Sequence, residues 1–159
     1  MNSLSVIFPA FNEVDNIELA VDRANSVLSR LEIETEIIVV DDGSYDGTRE
    51  KLEKLCRCFS RLRVVRHPSN LGYGAALRSG IFAARGEHVF FTDADLQFDI
   101  EEIDRLLRFA DHYDVIAGYR EWRSDSWVRR TNAWAWGQLV DGLFDLGVRD
   151  VDCAFKIFH

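Results

Sequence analysis

Residues 35–42 read TEIIVVDD. Ile37, Ile38, Val39 and Val40 are β-branched, with no polar residue among them to face water. A strand covered on one face alternates apolar with polar; a strand covered on both does not. The run then breaks into two carboxylates, Asp41 and Asp42, and the turn residues Gly43 and Ser44. A doubly covered strand ending in acid points to a helix-flanked parallel sheet whose ligands sit beyond the carboxyl ends of the strands.

The flanking sequence repeats that pattern. LSVIFP (4–9) is a short apolar strand ended by Pro9. A helix over 13–31 carries Ile17, Val21, Ala24, Val27, Leu28 and Leu31 at helical spacing. Asp46, Gly47 and Thr48 open a second helix through Leu52 and Leu55. RLRVVRH (61–67) is a third strand, 73–85 a small-residue helix, and EHVFFTDAD (87–95) a fourth strand. Asp99 with Glu102 forms a capping box for a helix holding Ile103, Leu106 and Leu107. YDVIAGYR (113–120) is a fifth strand, 126–146 reads helical, and VDCAFKIF (151–158) is a final strand. With no repeat or linker, residues 1–159 read as one α/β domain around a mostly parallel sheet with right-handed crossovers.

Composition narrows the function. Of 159 residues, 47% are hydrophobic and only 2 are Pro, enough for a real core. The formal net charge of −8 argues against nucleic acid as a partner. Three cysteines, Cys56, Cys58 and Cys153, form neither an even framework nor a CxxC pair, so reduced, buried thiols facing the cytosol are expected. No stretch approaches the roughly 18 apolar residues of a membrane span.

Three polar clusters close strands: Pro9-Ala10-Phe11-Asn12-Glu13, Asp41-Asp42-Gly43-Ser44 and Asp93-Ala94-Asp95. A parallel sheet opens all three on one edge, placing Glu13, Asp41, Asp42, Asp93 and Asp95 around one crevice. Carboxylates crowded this way raise one another's pKa unless a cation joins them. Hard oxygen ligands suit Mg²⁺ or Mn²⁺. The alternative for Asp93 and Asp95 is a loop cap, since Asp is common in turns. Asn70-Leu71-Gly72-Tyr73-Gly74 is either a Gly-rich turn into a helix or a helix N-terminus near phosphates; it meets neither the dinucleotide nor the P-loop pattern. Arg120, Arg123, Arg129 and Arg130 form a basic island interleaved with Trp122, Trp127, Trp134 and Trp136. Arg with Trp suits a membrane interface, while helix-spaced Trp127 and Trp134 also fit a core. Of Asp150 and Asp152, one carboxylate, Asp152 the candidate, either takes part in chemistry or pairs with an arginine. A phospho-receiver domain, which also uses an acidic pair, is excluded by order: strand one ends in Pro9 and strand three in His67-Pro68.

FPAFNE, VVDDGSYDGT, NLGYGAALRSG and TDADLQ, in this order and spacing, resemble the family 2 glycosyltransferases, whose catalytic domain has the Rossmann-like GT-A fold. AGYREWRSDSWVRR and VRDVDCAFKIF resemble one branch, the polyprenyl-phosphate glycosyltransferases, similar to dolichyl-phosphate mannosyltransferase. The resemblance covers essentially the whole chain. It implies inverting, metal-dependent transfer of a sugar from a UDP- or GDP-sugar to a polyprenyl phosphate at the cytoplasmic face of a membrane. Pro9, Phe11 and Glu13 would cradle the nucleoside, and Asp41 and Asp42 would contact base or ribose. Asp93, Ala94 and Asp95 would be the Asp-x-Asp motif holding ribose and a Mg²⁺ or Mn²⁺ ion, with Gln97 beside them. Arg120 and Arg129 or Arg130 would grip phosphates of donor or acceptor. Asp95, Arg120 and Asp152 would stand nearest the chemistry. A sugar or protein hydroxyl as acceptor is the alternative within enzymes, and a non-catalytic nucleotide-sugar-binding fragment the alternative outside them.

The processive QxxRW pattern is absent, which disfavours polymer synthesis. Relatives of this branch continue beyond the position matching His159, often into transmembrane segments. The resemblance therefore implies a domain truncated at its C-terminal end.

Overall fold

The computed structural model describes residues 1–119, 136–140, 142–143 and 150–159. The chain runs β1 (Ser3–Ala10), α1 (Ile17–Leu28), β2 (Glu34–Asp41), α2 (Thr48–Cys58), β3 (Leu62–Arg66), α3 (Tyr73–Ala83) and β4 (His88–Thr92). A 3-10 turn (Ile100–Glu102), α4 (Ile103–Leu107), β5 (Val115–Ala117) and β6 (Phe155–Phe158) follow. The sheet order is β3-β2-β1-β4-β6-β5. β1, β2, β3 and β4 are parallel, and β6 runs antiparallel between β4 and β5.

Successive side chains of a strand point to opposite faces, and the two faces are filled by different helices. Leu4, Val6 and Phe8 of β1 join Ile37, Val39 and Phe90 in one core with Ile17, Val21 and Ala24 of α1 and Leu52 and Leu55 of α2. Ile7, Ile38, Val40 and Phe91 turn to the other face, beneath Ala76 of α3. Each fully buried aliphatic side chain contributes about 1.5–3 kcal/mol, so β1 and β2, apolar on both faces, anchor the domain. α3 lies so close that a Cβ on Gly80 would fall 2.5 Å from Ile7 Cγ2, which is why this helix is built from small residues.

The crossovers run from β1 to β2 and β3 on one side and then to β4 on the other, so the topological switch lies between β1 and β4. Pairing of β1 with β2 continues to Ala10↔Asp41, whereas pairing with β4 ends at Ile7↔Phe91. The Ala10 carbonyl accepts from Asp42 N–H at 2.9 Å, so Ala10 faces β2 and Pro9 turns its nitrogen toward the β4 side. Pro9 has no N–H to donate, and there the ladder has already opened.

Several boundaries differ from the sequence reading. α1 ends at Leu28, short of Leu31, and the Ser29 hydroxyl donates back to the Asn25 carbonyl at 2.7 Å. The capping box at Asp99 is half formed. Asp99 Oδ1 accepts from Glu101 N–H at 3.0 Å, but Glu102 pairs forward with Arg105 at 3.0 Å, and the first turn is 3-10. Of the cysteines only Cys153 is buried; Cys56 and Cys58 lie off the Thr48, Leu52, Leu55 stripe that α2 buries. The expected helix over 126–146 lies largely outside the described residues; 136–140 and 142–143 are helical, and Trp136 is exposed. Among the described residues no helix is long and apolar enough to cross a membrane.

Candidate functional site

A cleft of about 340 Å³ opens where β1 and β4 part. β1 and the loop after it supply Pro9, Ala10, Phe11 and Glu13, β2 leads into Asp42, and β4 leads into Asp93, Ala94 and Asp95. The loop entering α3 adds Asn70 and Gly72, and α3 itself adds Tyr73 and Ala76. The expected convergence of strand ends is therefore present.

Asp41 is the exception. Its side chain is fully buried and does not line the cleft. One carboxylate oxygen accepts from Ser44 N–H at 2.9 Å, and the other meets Arg49 Nε at 3.3 Å. Adjacent strand residues face opposite ways, so only one Asp of the pair can face the cleft, and it is Asp42. Asp42 Oδ1 accepts from Leu71 N–H at 2.9 Å and meets His67 Nδ1 at 2.6 Å; Oδ2 accepts from Gly72 N–H at 2.9 Å. Burial pushes the Asp42 carboxyl upward, but these donors outweigh it and hold it below the ordinary aspartate value.

The loops after β1 and β2 lock together. Asn12 N–H donates to Ser44 Oγ at 3.0 Å, and Tyr45 N–H donates to Asn12 Oδ1 at 3.0 Å. Glu13 N–H donates to Thr48 Oγ1 at 2.9 Å, and Val14 N–H to Asp46 Oδ2 at 3.1 Å. Asn12 adopts φ 58°, a left-handed conformation that Asn tolerates better than most residues. Phe11 meets Tyr45 edge to face at 5.8 Å.

On the opposite wall, Leu96 takes φ 62°, uncommon for a bulky side chain. That turn brings Gln97 N–H back to Asp95 Oδ1 at 3.1 Å. Gln97 thus stands beside Asp95 through its backbone, its side chain being exposed. Tyr73 faces these acids: burial, the Asp93 charge, a hydrogen bond to Asp93 and the Asp95 charge all keep its phenol protonated. Asp93 and Asp95 offer hard oxygen donors to the cleft. No group of three His, Cys, Asp or Glu among the described residues forms a metal cage. Two carboxylates fit a Mg²⁺ or Mn²⁺ ion completed by water and phosphate oxygens rather than by protein alone.

Asp152 is exposed and does not line the cleft. The antiparallel pairing Thr92↔Phe155 nevertheless brings the turn before β6 to the sheet edge where Asp93 and Asp95 lie. Arg120, Arg129 and Arg130 lie outside the described residues. Sequence reasoning did not select Asn70, Gly72, Tyr73 and Ala76 as site residues, although the NLGYGAA run was their signal. It also missed His67. Parallel pairing ends at Asp41↔Arg66, so the next residues on β2 and β3 are Asp42 and His67.

The family model for glycosyl transferase family 2 matches residues 5–158. Undecaprenyl-phosphate 4-deoxy-4-formamido-L-arabinose transferase of Aeromonas hydrophila subsp. hydrophila is 32% identical over 158 residues, 98% of this chain and 48% of its own. The chain spans about half the length of the curated relatives it matches. Among solved structures, S. aureus TarS 1–349 in complex with UDP-GlcNAc is 28% identical with a TM-score of 0.61, over 79% of this chain and 37% of that one. A mannosyltransferase from Pyrobaculum calidifontis in complex with GDP-Man and Mn²⁺ is 25% identical with a TM-score of 0.62, over 74% of this chain and 35% of that one.

Proposed function

The chain belongs to glycosyl transferase family 2, and from that premise we propose that it moves a sugar from a nucleotide-sugar donor to a polyprenyl phosphate, in an inverting, metal-dependent reaction at the cytoplasmic face of a membrane. One observation carries the reading. At the topological switch, one cleft joins an aromatic and acidic wall, Phe11 and Asp42, to a second acidic wall, Asp93 and Asp95.

The nucleoside of a UDP- or GDP-sugar rests against Pro9, Phe11 and Glu13, and Asp42 accepts a hydrogen bond from base or ribose. Asp41 acts from behind, holding the Ser44 turn. Asp93 and Asp95 would hold Mg²⁺ or Mn²⁺, which when bound neutralises charge on the departing diphosphate. Asn70 and Gly72 shape the cleft between the two walls.

The acceptor half rests on the family pattern and on chemistry. A lipid phosphate is already ionised at neutral pH, so it needs cations to bind it more than a strong base to activate it. Arg120 with Arg129 or Arg130 would bind phosphate oxygens in forked geometry. Asp152, at the same sheet edge, would orient the acceptor. The relative from Aeromonas hydrophila, named for transfer to undecaprenyl phosphate, supports the lipid class.

Incubation with radiolabelled UDP- and GDP-sugars, Mn²⁺ and a short-chain polyprenyl phosphate in detergent tests the reading. Label should enter the organic phase only when the lipid phosphate is present. Label passing instead to a free sugar or to protein would replace the lipid acceptor with a hydroxyl one.

A further inference from the structure

Behind the Asp42 wall of the cleft, buried His67 links Asp42 to the half-buried Ser79, and the proposed chemistry uses neither His67 nor Ser79. His67, immediately after β3, is 7% exposed. Its Nδ1 lies 2.6 Å from Asp42 Oδ1, and its Nε2 lies 2.9 Å from Ser79 Oγ on α3. Its own N–H donates to the Asp41 carbonyl at 2.9 Å, which fixes the ring's root to β2. Asp42 is a carboxylate, which only accepts, so Nδ1 carries the hydrogen toward it. In the neutral ring Nε2 then accepts from the Ser79 hydroxyl; in the charged ring it donates. Either way Ser79, His67 and Asp42 form one continuous chain from the second turn of α3 to the cleft.

The far end of this chain has a defined consequence. Asp42 also accepts from Leu71 N–H and Gly72 N–H, both at 2.9 Å, and Asp42 and Gly72 line the cleft. A carboxylate on a freely rotating χ2 could not hold both amides and still present a lone pair to a ligand. His67 removes that freedom from inside the protein.

We infer that His67 is a positioning residue of the donor cleft: its imidazole, braced by Ser79, fixes the Asp42 carboxylate and through it the Leu71–Gly72 backbone against which a nucleoside docks. The inference deepens the donor-site reading and rests on it. It makes nucleobase recognition depend on a residue that touches no ligand, as outer-shell partners of functional groups commonly do.

His67→Phe keeps the ring's bulk and loses its donor, whereas His67→Asn keeps an N–H close to the Nδ1 position. Two readouts are compared in both variants and in the unaltered chain: binding of UDP and GDP with Mn²⁺ by calorimetry, and hydrogen exchange at the Leu71 and Gly72 amides. His67→Phe should weaken the preferred nucleotide about tenfold or more, the scale of a lost hydrogen bond to a charged group. It should also narrow the ratio between the two bases and speed exchange at Leu71 and Gly72. His67→Asn should recover most of each effect. Affinity, base ratio and exchange all unchanged in His67→Phe would overturn the inference, as would His67→Asn behaving no better than His67→Phe. If the unaltered chain binds neither nucleotide, the donor-site reading falls, and with it the ligand half of the inference. The exchange data then still decide the positioning half, which unchanged protection in His67→Phe would sink.

Discussion

Gly43 lies directly against Ser69: a Cβ at position 43 would fall 2.4 Å from the Ser69 carbonyl carbon. Gly43 also has φ 76°, where side chains are strained. The two residues belong to the loops after β2 and β3, so their contact sets how closely Asp42 approaches Leu71 and Gly72. Gly43→Ala should cost at least about 2 kcal/mol, from strained backbone and a clash with main chain that no rotamer relieves. Thermal unfolding of the variant checks this, and a melting temperature equal to that of the unaltered chain would contradict it.

Asp41 and Asp42 should separate by function. Arg49→Ala removes the cation beside the fully buried Asp41 carboxylate and leaves it the hydrogen bond from Ser44 N–H. Stability should fall by about 1–3 kcal/mol, the penalty for an under-satisfied buried group. Nucleotide affinity should change less than twofold, because neither residue lines the cleft. Parallel denaturation and binding measurements read the two effects.

The Asp42 carboxyl lies below its ordinary value of 3.8 because its hydrogen-bond donors outweigh burial. A depressed folded-state pKa adds stability above the unfolded value, and that stability is lost as pH falls through the folded value. Unfolding free energy should therefore drop on acidification from about pH 4 downward. Asp42→Asn should lower stability at neutral pH and flatten this acid limb. Asp46, held low by its bonds to Thr48 and Val14 despite burial, shares the limb, so some slope should remain in the variant. A limb of undiminished steepness in Asp42→Asn would assign it to other carboxylates.

How much of this was legible depends on what each element shows in one dimension. TEIIVVDD was readable because burial on both faces leaves no polar alternation, and the Asp-x-Asp after β4 because an apolar strand ending in acid stands out. The division of labour between Asp41 and Asp42 was not, since it depends on which side of β2 each carbon faces. β6 was found as a strand, but VDCAFKIF carries nothing that orients it, and its antiparallel course follows from tertiary pairing. The Asn12–Ser44–Tyr45 clasp joins residues about thirty positions apart through single hydrogen bonds, a scale on which sequence periodicity is silent. His67 was half legible: aligning β2 with β3 end to end puts it beside Asp42.

Asp95→Ala should leave the fold intact, since Asp95 is a partly exposed loop residue that accepts from the nearby Gln97 N–H. Unfolding free energy should move by less than about 0.5 kcal/mol, as is usual at such positions. Mn²⁺-dependent nucleotide binding should be lost.

The proposed function stands or falls on whether Asp93 and Asp95, with a divalent ion, hold a nucleotide in the cleft between β1 and β4. Calorimetric titration of the unaltered chain and of Asp95→Ala with UDP and GDP, each with and without Mn²⁺, tests it most directly. Saturable binding of one nucleotide should require Mn²⁺ and disappear in Asp95→Ala. Equal binding with and without the metal, or metal-dependent binding that survives in Asp95→Ala, would contradict it.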